Sequence, residues 1–252
     1  MIADFTRGIG YALSGFALVR RRGVLRYALI PLLVNALLFG GGIWFGASAF
    51  AGLLEWLLPA WLDVALVRAV LWIVFAVGAA LVAFYAFTLL ANLVAAPFNG
   101  LLADRAERHL RGGLGDEGEQ RGLVAEVGAS FAAEIRKLLY LAAWSLPMLV
   151  LFLVPVVNLV APLLWLAFGA WMMALEYADC PLGNHGLVFS RSRRLIGRRR
   201  AAALGFGATV MVFTSIPVLN LVAMPVAVAG ATALYVNELA GLVAEEDVKN
   251  RE

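Results

Sequence analysis

An uninterrupted run of uncharged side chains, residues 27–50, limits what this chain can fold into more than any other feature. As a helix, such a run is long enough to cross a hydrocarbon core of about 30 Å. The whole chain is 63% hydrophobic and only 15% charged, with a mean hydropathy of +0.87. A water-soluble fold of this composition would expose large apolar patches, so lipid must be the solvent for most of the surface. The composition therefore predicts an integral membrane protein and excludes nucleic-acid-binding, disulfide-rich secreted and disordered chains.

A second apolar stretch covers residues 64–96 and would be roughly 50 Å long as a helix, so it must tilt strongly or project from the bilayer. The link between the two stretches contains Glu55, Asp63 and two tryptophans, but no Lys or Arg, which predicts that it faces outside. We therefore expect two long helices, 24–50 and 64–111, that cross the membrane and return. Both termini are then expected on the cytoplasmic side.

The N-terminal segment, residues 1–22, carries apolar side chains at three- and four-residue spacing, namely Ile2, Phe5, Ile9, Leu13 and Phe16. This spacing predicts an amphipathic helix over residues 1–22. Two positions are open for it: in the membrane interface, or packed on the cytoplasmic surface of the protein itself. Charges inside the segment, and a basic run after it instead of before it, argue against a cleaved signal peptide.

Two later apolar blocks share the motif Pro-Val-X-Asn-Leu-Val-Ala, with the asparagine at Asn158 in the first and at Asn220 in the second. At the offset that separates these two asparagines, charged residues at the ends of the blocks also correspond: Arg136 with Arg198, Lys137 with Arg199, and Glu176 with Glu238. This similarity predicts a duplicated hairpin. Proline removes an amide donor and disfavours helix in the residue before it, so each motif should separate two helical arms.

The length of the arms predicts how deep the hairpins reach. Residues 204–216, the first arm of the second block, would form a helix about 20 Å long, which is too short to cross comfortably. We therefore expect two re-entrant, partly penetrating hairpins, 138–176 and 204–238, with tips buried against protein. Full crossings in a thinned bilayer are the alternative. The segments 112–137, 177–203 and 239–252 should be cytoplasmic, which makes the chain a single all-α membrane domain, 1–252.

Several polar residues near helix ends or breaks could line or gate a polar path; they are Asn35, Asn92, Asn99, Glu107, Arg108 and His185. A structural role is the alternative for each of them. The sequence contains no phosphate-binding loop, metal-ligand spacing or nucleophile motif, and it has one cysteine and two histidines. It therefore predicts neither an enzyme nor a bound cofactor or metal.

The segment from Asn92 to Asp104, at the end of the second long helix, resembles a signature of the CysZ family of bacterial sulfate permeases. Segments 23–26, 30–35, 177–185 and 224–233 also resemble family segments and occur in family order. The resemblance implies an inner-membrane protein with two long transmembrane helices and two half-penetrating hairpins. It also implies a homo-oligomer, expected to be a hexamer, that admits sulfate for cysteine synthesis.

The family commonly has Gly-Leu-Arg-Arg as a sulfate-binding element at the start of the first long helix. The matching positions here are Gly23, Val24, Leu25 and Arg26, so a leucine replaces the first arginine of the pair. A sulfate site needs hydrogen-bond donors and positive potential, which glycine backbone, the first turn of a helix and an arginine fork can supply. We predict sulfate binding at these four residues, with Arg22 as a candidate for the missing charge. The alternative is that the arginines only set the orientation.

These observations together predict a sulfate permease of the bacterial inner membrane, whose partners are sulfate and the lipid bilayer. Sulfite and related oxyanions are further candidate substrates, and no nucleic acid is expected. A function of a different class is also open, namely a membrane-shaping or scaffolding hairpin protein without transport activity. Paired shallow hairpins and an interfacial helix can wedge one leaflet of a bilayer, which is the reason for this alternative.

Overall fold

A computed structural model describes residues 1–21, 23–57, 65–112 and 123–249, and all regular elements among them are helical. For residues 32, 35, 39, 54, 57, 82–97, 123–134 and 221 only the backbone is described. The helices are α1 (Ile2–Val19), α2 (Leu25–Leu57), α3 (Ala65–Leu110), α4 (Leu123–Leu151), α5 (Ala161–Asn184), α6 (Phe189–Arg198), α7 (Arg200–Ser215), α8 (Pro217–Leu234) and α9 (Ala240–Lys249), with a 3-10 turn at Val157–Leu159 and a π-helical turn at Tyr235–Leu239. The predicted all-α fold class is confirmed for these residues.

The chain divides into two compact units, residues 26–98 and residues 1–25 together with 99–252. In the smaller unit, α2 contacts the first part of α3 through aromatic side chains. Phe50 stacks on Phe75 with ring centroids 4.0 Å apart, and the ring of Trp72 packs edge-on against Phe50 at 5.0 Å. Most other large apolar side chains of α2 are exposed, as expected for a helix surrounded by lipid or by other subunits.

Among the described residues, three helical segments are long and apolar enough to cross a membrane: Leu25–Leu53, Ala161–Asn184 and Val222–Lys249. The first begins with the predicted long helix 24–50 and extends past it to Leu53. The other two coincide with the second arms of the predicted hairpins and extend past them. Partial insertion of these arms therefore stays a prediction, with full crossing as its alternative.

Both apolar blocks are broken where the proline–asparagine motifs predict a break. In the first block α4 ends at Leu151 and α5 begins at Ala161, and Val156 between them has a φ of +70°, which a β-branched residue rarely adopts. In the second block only Ile216 separates α7 from α8, and its backbone is extended, as expected before a proline. The helices on either side of each break contact each other, α4 with α5 and α7 with α8.

Several helices continue past the limits of the apolar runs from which their ends were predicted. The helix α4 already begins at Leu123, inside the segment 112–137, and α5 continues to Asn184 instead of ending at 176. The helix α5 continues because one of its faces stays buried beyond the end of the apolar run. On that face Ala174, Ala178 and Leu182 lie at four-residue spacing and are fully buried.

The N-terminal helix α1 packs against α7 and α8. Its most buried positions include small residues beside the predicted stripe, namely Gly8, Ala12 and Gly15, and from the stripe itself Phe16 packs edge-on against Phe213 of α7 with ring centroids 5.1 Å apart. The outer part of the stripe, such as Ile2 and Leu13, stays exposed. The predicted helix is thus confirmed, and the structure shows the second of its two proposed settings, a helix packed on the protein. Contact of its exposed stripe with the membrane interface stays a prediction.

Candidate functional site

The predicted sulfate-binding segment begins with a glycine turn between α1 and α2. Gly23 has a φ of +96°, which favours glycine, and a Cβ added there would meet no atom of the other described residues within 4 Å. The amides of Val24 and Leu25 both donate to the carbonyl oxygen of Arg21, at 3.1 and 3.2 Å. These two amides are therefore already bonded in this conformation, so binding of an anion to them would require them to leave that carbonyl.

The charged member of the segment is Arg26, in the first turn of α2. Its guanidinium donates to the hydroxyl of Tyr27 at 3.2 Å, and its Cζ lies 4.9 Å from the centre of the Tyr27 ring. Within the described part of the chain no carboxylate pairs with Arg26, so its positive charge is not neutralised there. Val24 is buried and Leu25 is exposed. The candidate substitute Arg22 lies outside the described residues.

Two residues of the predicted polar network, Glu107 of α3 and His185 after α5, lie together. His185 Nε2 is 2.9 Å from Glu107 Oε2 and 3.1 Å from Oε1, and the imidazole stacks on Tyr235 with ring centroids 4.8 Å apart. Arg111, the residue directly after α3, places its Nε 2.9 Å from Glu107 Oε1. The Glu107 side chain is only 10% exposed, and these donors compensate for the burial of its charge.

The other members of the predicted network are placed differently. Arg108 pairs with Asp104 on its own helix, with Nε 3.1 Å from Oδ2, and Asn99 is half-buried at the start of the same polar stretch. The side chains of Asn35 and Asn92 lie outside the described residues. In the described ranges no group of three or more His, Cys, Asp or Glu side chains is placed to hold a metal ion.

The internal repeat appears as equivalent ion pairs at the ends of the two predicted hairpins. Lys137 Nζ lies 3.0 Å from Glu176 Oε2, and at the equivalent positions of the second repeat Arg199 Nε lies 3.3 Å from Glu238 Oε2. In each repeat, a cation before the first arm therefore bonds a carboxylate near the end of the second arm. This agrees with the correspondence of charged residues that the sequence repeat predicts.

The two ion pairs differ in which partner is buried, the cation or the carboxylate. Lys137 is the buried member of the first pair, 8% exposed, and it also bonds Asp179 at 3.1 Å. In the second pair the carboxylate of Glu238 is buried, 4% exposed, while Arg199 is half-exposed. The first pair is thus one buried cation with two carboxylates, and the second is a buried carboxylate that requires additional donors.

The additional donors to Glu238 come from α1. Arg7 Nη1 lies 3.1 Å from Glu238 Oε1, and the hydroxyl of Tyr11 donates to the same oxygen at 3.1 Å. Burial raises the pKa of the Tyr11 phenol, and the hydrogen bond to Glu238 raises it further, so the phenol stays protonated and donates. Glu238 therefore connects α1, the turn before α7 and the π-helical turn.

Sequence reasoning missed Arg7, Tyr11, Arg111 and Tyr235 as members of these clusters. The four-residue spacing of Glu107 and Arg111 on one helix was a usable signal for their ion pair. The same spacing places Arg7 and Tyr11 on one face of α1. No local signal connects them to Glu238, because that contact joins the two ends of the sequence and depends on how α1 packs.

Comparison with known proteins places this chain among transporters. Residues 11–225 match the family model described as "Sulfate transporter CysZ/Etoposide-induced protein 2.4". A protein named sulfate transporter CysZ from Pectobacterium atrosepticum is 38% identical over 250 residues, which cover 96% of this chain and 89% of the relative. Proteins of the same name from Pseudomonas fluorescens and from Vibrio cholerae are 38% and 39% identical, over 94% and 92% of this chain and 96% and 93% of their own lengths. The chain therefore belongs to the sulfate transporter CysZ/etoposide-induced protein 2.4 family.

Proposed function

We propose that this protein is a sulfate permease of the bacterial inner membrane that admits sulfate for assimilation into cysteine. The observation that carries the proposal is the similarity, over nearly the whole chain, to bacterial proteins named sulfate transporter CysZ. Three apolar helical segments of sufficient length, found among the residues that the structure describes, support a membrane protein, and the relatives are named as transporters. In this proposal both termini are cytoplasmic, and the functional unit is a homo-oligomer, expected to be a hexamer.

Sulfate capture is proposed at the start of α2, with Arg26 as the main ligand. Sulfate only accepts hydrogen bonds, so its site needs donors and positive charge without a competing carboxylate. The guanidinium of Arg26 is a forked donor that suits an oxyanion, and its described neighbour is a tyrosine rather than an acid. The absence of a side chain at Gly23 lets an anion approach this turn closely, and Arg20 and Arg21 are exposed nearby along the chain.

The cluster of Glu107, Arg111 and His185 is proposed to belong to the polar path at the cytoplasmic end. A lone carboxylate would repel a dianion, but here both oxygens of Glu107 accept hydrogen bonds from donors. The cluster therefore keeps the local charge from being negative and also joins α3 to the end of α5. Sulfite and related oxyanions have the same acceptor chemistry as sulfate and are expected to compete for the same route.

Replacing Arg26 by alanine is expected to weaken sulfate binding at least about tenfold, since hydrogen bonds to a charged group contribute about 1.5–3 kcal/mol. The measurement is radiolabelled sulfate binding to the purified protein, together with uptake into liposomes that contain it. Arg194→Ala is the matched control, because it removes the same charge from an exposed position of α6. It should bind and transport like the unsubstituted protein.

Two outcomes of this experiment would contradict different parts of the proposal. Uptake by the unsubstituted protein that equals uptake by protein-free liposomes would refute the permease function. Vesicle tubulation without flux would then favour the membrane-shaping alternative. Normal uptake with unchanged binding in Arg26→Ala would refute the site and leave the function standing.

Restoring the missing arginine, by Leu25→Arg, is expected to strengthen sulfate binding about fivefold at low ionic strength. The Leu25 side chain is exposed, so a longer charged chain fits there without displacing packed atoms. A second positive charge beside Arg26 adds attraction to a dianion, and salt should screen part of it. Binding is measured as a function of salt, with Leu25→Gln as a control for polarity without charge. Equal effects of Arg and Gln would contradict the electrostatic explanation.

A further inference from the structure

A pocket of about 300 Å³ lies at the first turn of α7, beside the start of α1 and the π-helical turn. Its lining includes three consecutive arginines and two acids: Arg198, Arg199, Arg200, Asp4 and Glu238. Met1 lines the same pocket. Its size falls within the range of small-ligand sites, and its charged lining distinguishes it from the apolar surface of the helices.

Each acid of the pocket is paired with a cation of the lining, since the N-terminal ammonium of Met1 lies 2.9 Å from Asp4 Oδ2 and Arg199 contacts Glu238. Arg7 bonds the carboxylate of Asp4 and also lies 3.1 Å from Glu238 Oε1. Tyr11 donates a further hydrogen bond to Glu238. Because Arg7 and Tyr11 satisfy much of the acceptor capacity of both carboxylates, the arginines of the lining are not all needed to neutralise them.

The arginines therefore retain unused donor capacity. Arg199 shares Glu238, and the contact of Arg198 Nη2 with Glu246 Oε1 is long, at 3.6 Å. Arg200 is exposed and has no carboxylate partner among the residues that the structure describes. Such a pocket attracts an anionic group with several acceptor oxygens, for which arginine is the preferred ligand.

Two exposed apolar side chains lie at the edge of this charged pocket, which favours an anion that carries hydrocarbon. Met1 is 91% exposed and Ile2 is 84% exposed, and both begin the helix that borders the pocket. Arg200 is the first residue of α7, a helix that is otherwise mainly apolar and forms an arm of a hairpin that we expect to enter the bilayer. Arginines at the start of a membrane-inserted segment lie at the level of the lipid headgroups.

We propose that this pocket binds the phosphate headgroup of an anionic phospholipid, with Arg198 and Arg200 as its ligands and Met1 and Ile2 against its acyl chains. The shared chemistry of a lipid phosphate and a free phosphate is the tetrahedral oxyanion. The apolar contacts are available only to the lipid. The lipid would connect α1 to the base of the second hairpin from the membrane side.

The test uses the full chain, purified in a neutral detergent, and measures binding through the thermal unfolding midpoint and native mass spectrometry. The probes are dihexanoyl-phosphatidylglycerol, dihexanoyl-phosphatidylcholine and inorganic phosphate. Phosphatidylglycerol is expected to bind and to raise the midpoint, while the other two probes leave it unchanged at the same concentration. Arg200→Gln is expected to weaken phosphatidylglycerol binding about fivefold, the contribution of one arginine at a charged lipid surface.

Arg194→Gln is the matched control, because Arg194 is an exposed arginine of the neighbouring helix α6 and is not part of the pocket. It should change the affinity less than twofold. If Arg194→Gln lowered the affinity for phosphatidylglycerol as much as Arg200→Gln does, the effect would come from general surface charge and not from the pocket, and the proposal would be overturned. Equal binding of inorganic phosphate, or of phosphatidylcholine, would overturn it as well. Should Arg200→Gln fail to fold, Arg198→Gln tests the same pocket and is expected to weaken binding in the same direction.

Discussion

Replacing Gly8 by alanine is expected to lower the free energy of unfolding by about 3 kcal/mol, although it adds only one methyl group. The new Cβ would lie 2.0 Å from the carbonyl oxygen of Ala202 on α7, far inside van der Waals contact. The contact is reciprocal, because a Cβ at Gly205 of α7 would lie 2.0 Å from the carbonyl oxygen of Phe5 on α1. Both obstacles are backbone atoms of helices, so neither can move aside without separating α1 from α7.

Gly10→Ala is the control for this substitution, on the same helix and with the same added atom. A side chain at Gly10 meets nothing within 4 Å, so the higher helix propensity of alanine should stabilise the protein by up to about 1 kcal/mol. Unfolding by heat or denaturant in detergent measures both variants, and trypsin cleavage after Arg7 reports whether α1 has separated. Equal stability of the two variants would contradict the close packing of α1 on α7.

The packing of α1 shows why its orientation could not be read from the sequence. The pattern of Ile2, Phe5 and Leu13 identifies the helix correctly, but it does not identify the face that packs. A helix that packs through its small residues does not show its packed face in the period of its large ones. Association then depends on close approach of backbones, which glycine and alanine allow. Gly8 and Gly15 of α1 provide that approach, and no periodic run of large residues marks them.

The organisation of the second half was more accessible to sequence analysis, because duplication provides an internal comparison. The constant offset between the two motifs correctly relates Lys137 with Glu176 to Arg199 with Glu238, and both form ion pairs. The breaks at the proline–asparagine motifs were predictable for the same reason, since proline has a direct effect on the backbone.

Helix ends and distant partners were less predictable. The continuation of α5 to Asn184 was missed because hydropathy marks where apolar residues stop, not where a helix stops. The contact between Glu107 and His185 depends on how α3 and α5 approach each other. Grouping these two residues as one candidate network was possible, but their pairing, and the contribution of Arg111, required coordinates.

Glu238→Gln is expected to lower the free energy of unfolding by about 3 kcal/mol, because it removes the charge that holds three donors at one buried position. Arg7, Tyr11 and Arg199 all contact this carboxylate, and a glutamine keeps only one acceptor oxygen for them. Arg7 and Arg199 are half-exposed, so both guanidinium groups can be solvated by water in the variant. The loss of unfolding free energy is therefore smaller than the cost of a buried unpaired charge. The variant should also release α1, seen as faster trypsin cleavage after Arg7.

The equivalent position of the first repeat provides the control, because Glu176→Gln makes the same chemical change in a different setting. Glu176 is half-exposed, and its partner Lys137 keeps Asp179 at 3.1 Å when the charge of Glu176 is removed. Because Glu176 itself is half-exposed and buried Lys137 keeps Asp179 as a partner, Glu176→Gln should cost only about 1 kcal/mol. Equal costs for the two substitutions would show that α1 adds nothing at Glu238. A larger cost for Glu238→Gln, together with faster trypsin cleavage after Arg7 in that variant alone, would support the conclusion that the carboxylate of the second repeat holds the N-terminal helix.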